Sequence, residues 1–209
     1  MSGSRKEVPN DPNRRQRILD AALGGIVEAG TAALTYRSVA KRAGVPLGSL
    51  TYYFAGKDEL IAEAFAMLAD RMAEQYRDML EAATSPAEAQ AAVVELIAGE
   101  AYADDERVSL LFEMYAYGNH NSAAAETARA WLDVSLVSLS RHFPEPTARA
   151  LDALIEGWAI HRVFRGGAID RDAVVAAVRA IVASGVGADA EERSASAEAA
   201  RSSESFDSV

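Results

Sequence analysis

Between Leu47 and Tyr53 the chain places Leu47, Gly48, Ser49, Thr51, Tyr52 and Tyr53 within seven residues. Hydroxyls that donate and accept, next to a glycine with no side chain, suit close approach to hydrogen-bonding edges, such as base edges in a major groove. No other stretch offers chemistry of comparable definition. There is no cysteine, and His120, His142 and His161 show no close metal-ligand spacing. Asp104-Asp105-Glu106 reads as the acidic opening of a helix rather than a metal site. No nucleophile stands beside a plausible base, and no glycine-rich phosphate loop follows a strand pattern. The expectation is no catalytic residue, no metal and no cofactor.

Two short amphipathic segments must position these groups. Thr35 can cap the first, TYRSVAKRA, by accepting an orphan amide proton. Val39, Ala40 and Ala43 share one face of it, and Arg37, Lys41 and Arg42 fall elsewhere. Gly44 suits the helix end, and Pro46 suits the first turn of the next helix, PLGSLTYYF. Leu50 and Phe54 can anchor that second helix to the core. Helices joined so tightly cross steeply, which is the helix-turn-helix layout.

The anchored string formed by EAG, T-x-x-x-VAKRAGV, G-S-L-x-YYF and K-D-E-L, within about residues 14–65, resembles the DNA-binding domain of TetR-family regulators. Three positions depart from the family pattern: Pro46, Leu47 and Thr51 stand where serine, lysine and tyrosine are common. The resemblance implies that Tyr52, Tyr53 and Lys57 hold phosphates while Leu47, Gly48, Ser49 and Thr51 face bases. With Thr35 and Arg37 these form the expected DNA-binding set. It also implies a homodimer on palindromic double-stranded operator DNA, and an inducer held between helices of the body.

Charge supports this division. Residues 1–60 hold nine Lys/Arg against six Asp/Glu, a balance of +3, so the rest carries −13 of the chain's net −10. A basic head favours phosphate contact, and an acidic body stays off the DNA. Among the head's cations, Arg14, Arg15 and Arg17 open the first helix on a face free to approach a DNA backbone.

Periodicity yields nine helical segments and no strand alternation, so the expected class is all-α. A three-helix head at 13–56 precedes a helical effector-binding and dimerisation body at 57–184. Residues 1–12 are expected to be a disordered arm, and the Ser/Ala/Glu-rich 185–209 a disordered tail. The first helix should run from Asn13 to about Ala29, with Ile18, Ala21, Ala22, Ile26 and Ala29 buried and Gly30 closing it. Gly24-Gly25 should weaken it by roughly 1 kcal/mol per glycine. A long helix from Lys57 to about Ala83 joins head to body. The last two helices, about 147–165 and 170–184, are expected to form the subunit interface, where Val178→Glu should separate the subunits.

Phe112, Tyr115, Trp131 and Trp158 are either ordinary helical core or the wall of a ligand cavity, with His161, three residues after Trp158, as a polar handle. The cavity reading makes the chain a repressor released by a small apolar or aromatic effector. The alternative is a helical DNA-binding regulator controlled by a protein partner without a small molecule. A cavity of several hundred Å3 separates the two. With no secretory signal and no apolar run long enough to span a bilayer, a cytoplasmic protein without membrane contact is expected.

Overall fold

The structure, a computed structural model, describes residues 11–99, 102, 104–166 and 168–185. The expected arm lies outside the described residues except for residues 11 and 12, and the expected tail except for Gly185. Among the described residues there are nine helices and no strand. They are α1 (Arg14–Ala33), α2 (Tyr36–Ala43), α3 (Leu47–Tyr53), α4 (Lys57–Glu81), α5 (Pro86–Ala98), α6 (Asp105–Gly118), α7 (Ser122–Leu139), α8 (Glu145–Arg165) and α9 (Arg171–Ser184). The all-α expectation holds.

The helices fall into two compact units. The first takes the chain up to Ala69 together with Leu110–Ala128, and the second takes Asp70–Ser109 and the chain from Arg129. In the first unit α1 packs on α2 and α2 on α3. Ile18, Ala21, Ala22 and Ile26 are buried as their spacing requires, whereas Ala29 is exposed. The backbone leaves helical geometry at Gly30, with φ 74° and ψ 168°, and resumes a helical turn to Ala33. That positive φ is what a glycine tolerates, so the expected stop is a kink that turns the last carbonyls of α1. Gly25 has a packing reason: a Cβ there would stand 2.6 Å from the Leu34 side chain, which is buried against α1.

Residues 110–128 join this unit through specific contacts. Tyr117 Oη donates to Asp58 at 2.8 Å, and its ring lies 6.0 Å from that of Phe65. The Glu113 carboxylate accepts from the Thr31 amide at 3.4 Å. Burial, then the hydrogen bond to Asp58, pushes the Tyr117 phenol up to about 12, so it remains a proton donor at neutral pH.

In the second unit α5, α8 and α9 pack together. Ser85 caps α5 by accepting from Glu88, and Asp170 caps α9 by accepting from Ala173 at 3.1 Å. Val93, Val94, Leu96 and Ile97 of α5, Leu151 and Ile155 of α8, and Val174 and Val178 of α9 are buried within the protomer. Val178 is only 1% exposed, which corrects its expected place at a subunit contact. Ile160 and Phe164 of α8, like Leu132 and Val137 of α7, are instead exposed.

Candidate functional site

The helix-turn-helix forms as its caps dictate. Thr35 Oγ1 accepts from the Ser38 amide at 3.1 Å while Ser38 Oγ accepts from the Thr35 amide, a reciprocal capping box. Gly44 closes α2 in the left-handed region at φ 64°. Pro46 is the N-cap of α3, one position earlier than the first turn, so no side chain caps this helix. Leu50 and Phe54 are buried, and Tyr36 Oη donates to the Phe54 carbonyl at 3.1 Å. These anchors leave Leu47 46% and Tyr52 81% exposed, with Gly48 and Thr51 also exposed and Ser49 half-buried. The Thr51 hydroxyl donates back to the Gly48 carbonyl at 3.1 Å, so its lone pairs face outward as acceptors. Tyr53 is half-buried, its ring edge-on to Tyr52 at 4.9 Å.

The cations are more constrained than their sequence suggests. Arg37 and Lys41 are exposed. Arg15 pairs with Glu63 and lies 5.7 Å over the Phe54 ring, Arg17 pairs with Asp11 at 2.7 Å, and Arg42 pairs with Glu28. Lys57 Nζ donates to the Thr31 and Ala32 carbonyls at 3.3 and 3.2 Å, at the end of α1. Neither carbonyl was identifiable as a partner from the sequence.

The expected effector residues separate. Phe112 and Tyr115 belong to the first unit, and Trp131, Trp158 and His161 to the second. Trp131 is buried edge-on to Tyr76 at 5.8 Å, and its indole Nε1 has no hydrogen-bond partner among the described residues. Trp158 and His161, with ring centroids 6.0 Å apart, line a cavity of about 650 Å3 between α8 and α9. Sequence reasoning missed two further cavity residues, Arg162 and Arg165. With Trp158 and His161 they sit at i, i+3, i+4 and i+7, the spacing of a single helical stripe, and that signal was present.

Residues 18–64 match the model of bacterial regulatory proteins of the tetR family. The chain is 38% identical to SCO7518 of Streptomyces coelicolor A3(2), described as a transcriptional regulator, covering 82% of this chain and 99% of that one with a TM-score of 0.73. The chain belongs to the TetR family. Among further relatives of this TetR-family chain, the regulator PksA of Bacillus subtilis (strain 168) is 24% identical, over 81% of this chain and 87% of its own. The multidrug binding protein EbrR, solved with ethidium, is 28% identical with a TM-score of 0.66, covering 81% of this chain and 98% of that one. TetR-family members are transcriptional regulators, so this chain is a DNA-binding regulator and not an enzyme. No helix among the described residues is long and apolar enough to cross a membrane.

The second unit of this TetR-family chain also buries a polar network that its sequence did not reveal. Tyr76 Oη and Ser135 Oγ are hydrogen bonded at 2.9 Å, and the Ser135 hydroxyl meets the Asp152 carboxylate. Burial pushes the Asp152 carboxyl up, against the lowering effects of the Ser135 hydrogen bond and of Arg149. A carboxyl raised in the folded state stabilises the fold below its unfolded pKa, near 4, and that contribution is lost as pH rises through the folded value. Asp152→Asn keeps an acceptor for Ser135 and removes the charge. It should therefore raise the melting temperature at pH 7, with the gain disappearing below about pH 4. A lower melting temperature at pH 7 would show instead that the charge is a net stabiliser.

Proposed function

We propose that this chain is a repressor that binds palindromic operator DNA as a homodimer and is released by a small aromatic or apolar effector. On this reading residues 13–56 contact DNA and residues 57–184 hold the effector and the partner subunit. Leu47, Gly48, Ser49 and Thr51 face bases, while Thr35, Arg37, Tyr52, Tyr53 and Lys57 hold the backbone, consistent with the exposure of α3 and the outward lone pairs of Thr51. A two-fold axis matches two half-sites roughly one helical turn or a multiple apart.

The observation that carries small-molecule release is the cavity beside Trp158 and His161, large enough for a drug-sized ligand. The ethidium complex of EbrR supports an aromatic occupant. Release requires the effector to prefer the conformation that fits the operator less well. Each ~1.4 kcal/mol of that preference weakens operator affinity about tenfold. Linkage makes operator weaken effector binding by the same factor. The test uses an operator selected from genomic fragments and the neutral fluorophore N-phenyl-1-naphthylamine. Its affinity should fall when operator saturates the protein, and equal affinities with and without operator would remove induction from the reading.

A further inference from the structure

We propose that the cavity between α8 and α9 binds a small aromatic oxyanion, whose carboxylate or sulfonate sits on the Arg162 guanidinium. The inference rests on the reading of the body as effector-binding and names the effector's charge. The Arg162 side chain is only 12% exposed, yet its Nη1 is buried with no hydrogen-bond partner among the described residues. The acid it faces among the described residues, Asp105, lies 3.9 Å from Nε, beyond hydrogen-bond reach, on a side chain 85% exposed. Solvent screens such a pair, and it does not reach Nη1.

A buried charge with an idle donor is costly unless something pairs with it. The guanidinium fork matches a planar oxyanion, which it can take in two parallel hydrogen bonds. Arg165, three residues on, adds a second positive charge at the exposed rim. The one acid in the lining, Asp170, already accepts from Ala173 at the N-terminus of α9, where the helix dipole holds it. Trp158 supplies a flat apolar wall, with His161 3.6-periodic beside it on the same stripe. The surrounding body is strongly acidic by composition, so a cationic cavity within it is a local feature and not a consequence of overall charge. Ala153 and Gly157, which also line the cavity, share the helical stripe of the exposed Ile160 and Phe164, so the site borders that apolar face, while Arg162 lies on the opposite side of the cavity stripe.

The test compares 1-anilinonaphthalene-8-sulfonate with its neutral parent framework, N-phenyl-1-naphthylamine, in fluorescence titrations of the full chain without DNA. The sulfonate should bind at least about tenfold more tightly, and added NaCl should narrow that gap. Arg162→Met, similar in length but uncharged, should abolish the gap while leaving the neutral probe within about threefold of its wild-type Kd. Arg165→Gln, at the exposed rim, should narrow the gap partially, and it serves in place of Arg162→Met if that variant does not fold. Equal wild-type affinities, or a gap untouched by the variants, would overturn the proposal. Because operator is absent, the outcome is independent of induction: an anion preference with no effect of operator on either probe leaves the site standing and removes release by ligand.

Discussion

Val178→Glu is expected to unfold the second unit rather than release folded subunits, whereas Phe164→Glu should leave the fold intact and weaken dimerisation. Val178 is 1% exposed and faces the elements of its own protomer, where it and Val94 of α5 line one cleft. A carboxylate placed there is stripped of water; of the two arginines in that cleft Arg171 is already paired with Glu95 and Arg179 is solvent-exposed, so desolvation still costs several kcal/mol. That is a large share of the ~5–15 kcal/mol that holds a domain together. Phe164 is 75% exposed, so a glutamate there costs the protomer little and instead charges an apolar surface. Circular dichroism melts and light scattering on both variants separate the two effects. A folded, monomeric Val178→Glu protein would mean that this side chain lies at the subunit contact after all.

Lys57→Ala is expected to weaken binding to every operator by about 10- to 100-fold, without changing their order of preference. A hydrogen bond to a charged group contributes ~1.5–3 kcal/mol, and each 1.4 kcal/mol is a factor of ten. The ammonium has three donors. Two of them meet the Thr31 and Ala32 carbonyls, which tie the start of α4 to the end of α1, and one remains for a phosphate oxygen. Phosphate contacts carry no sequence information, so the loss should be uniform across sites. The salt dependence of binding should flatten by about one ion. Fluorescence anisotropy over a KCl series gives both numbers. An unchanged slope with a lower melting temperature would assign Lys57 to the α1–α4 tie alone.

What the sequence revealed was local. The Thr35 cap, the glycine closing α2 and the apolar anchors Leu50 and Phe54 are each set by neighbours within a few residues, and each stands where its spacing implied. The misreadings involve distance. Helical periodicity identifies an apolar face but not its cover, so the spacing of Val178 did not tell whether its own protomer or a partner subunit would bury it. The Lys57 tie depends on how the kink at Gly30 turns two carbonyls, and no residue type encodes that. Tyr76, Ser135 and Asp152 meet across 59 and 17 residues of chain. Within the cavity, attention to the histidine as polar handle passed over Arg162, one residue further along the same stripe.

The first compact unit draws on two separate stretches of chain, and this bears on how such a protein can be cut and rejoined. Leu60, Ile61, Ala64 and Phe65, at the start of α4, belong to its core, and Tyr117 and Glu113 reach it from more than fifty residues downstream. The DNA-reading end is therefore not a cassette that ends where its motif ends. A chimera spliced near residue 56 would inherit the recognition surface and lose part of its foundation. A graft that preserves the unit must carry the segment from Leu110 to Ala128 as well. The same arrangement orders synthesis: a nascent chain has made α3 long before the last piece of its unit leaves the ribosome.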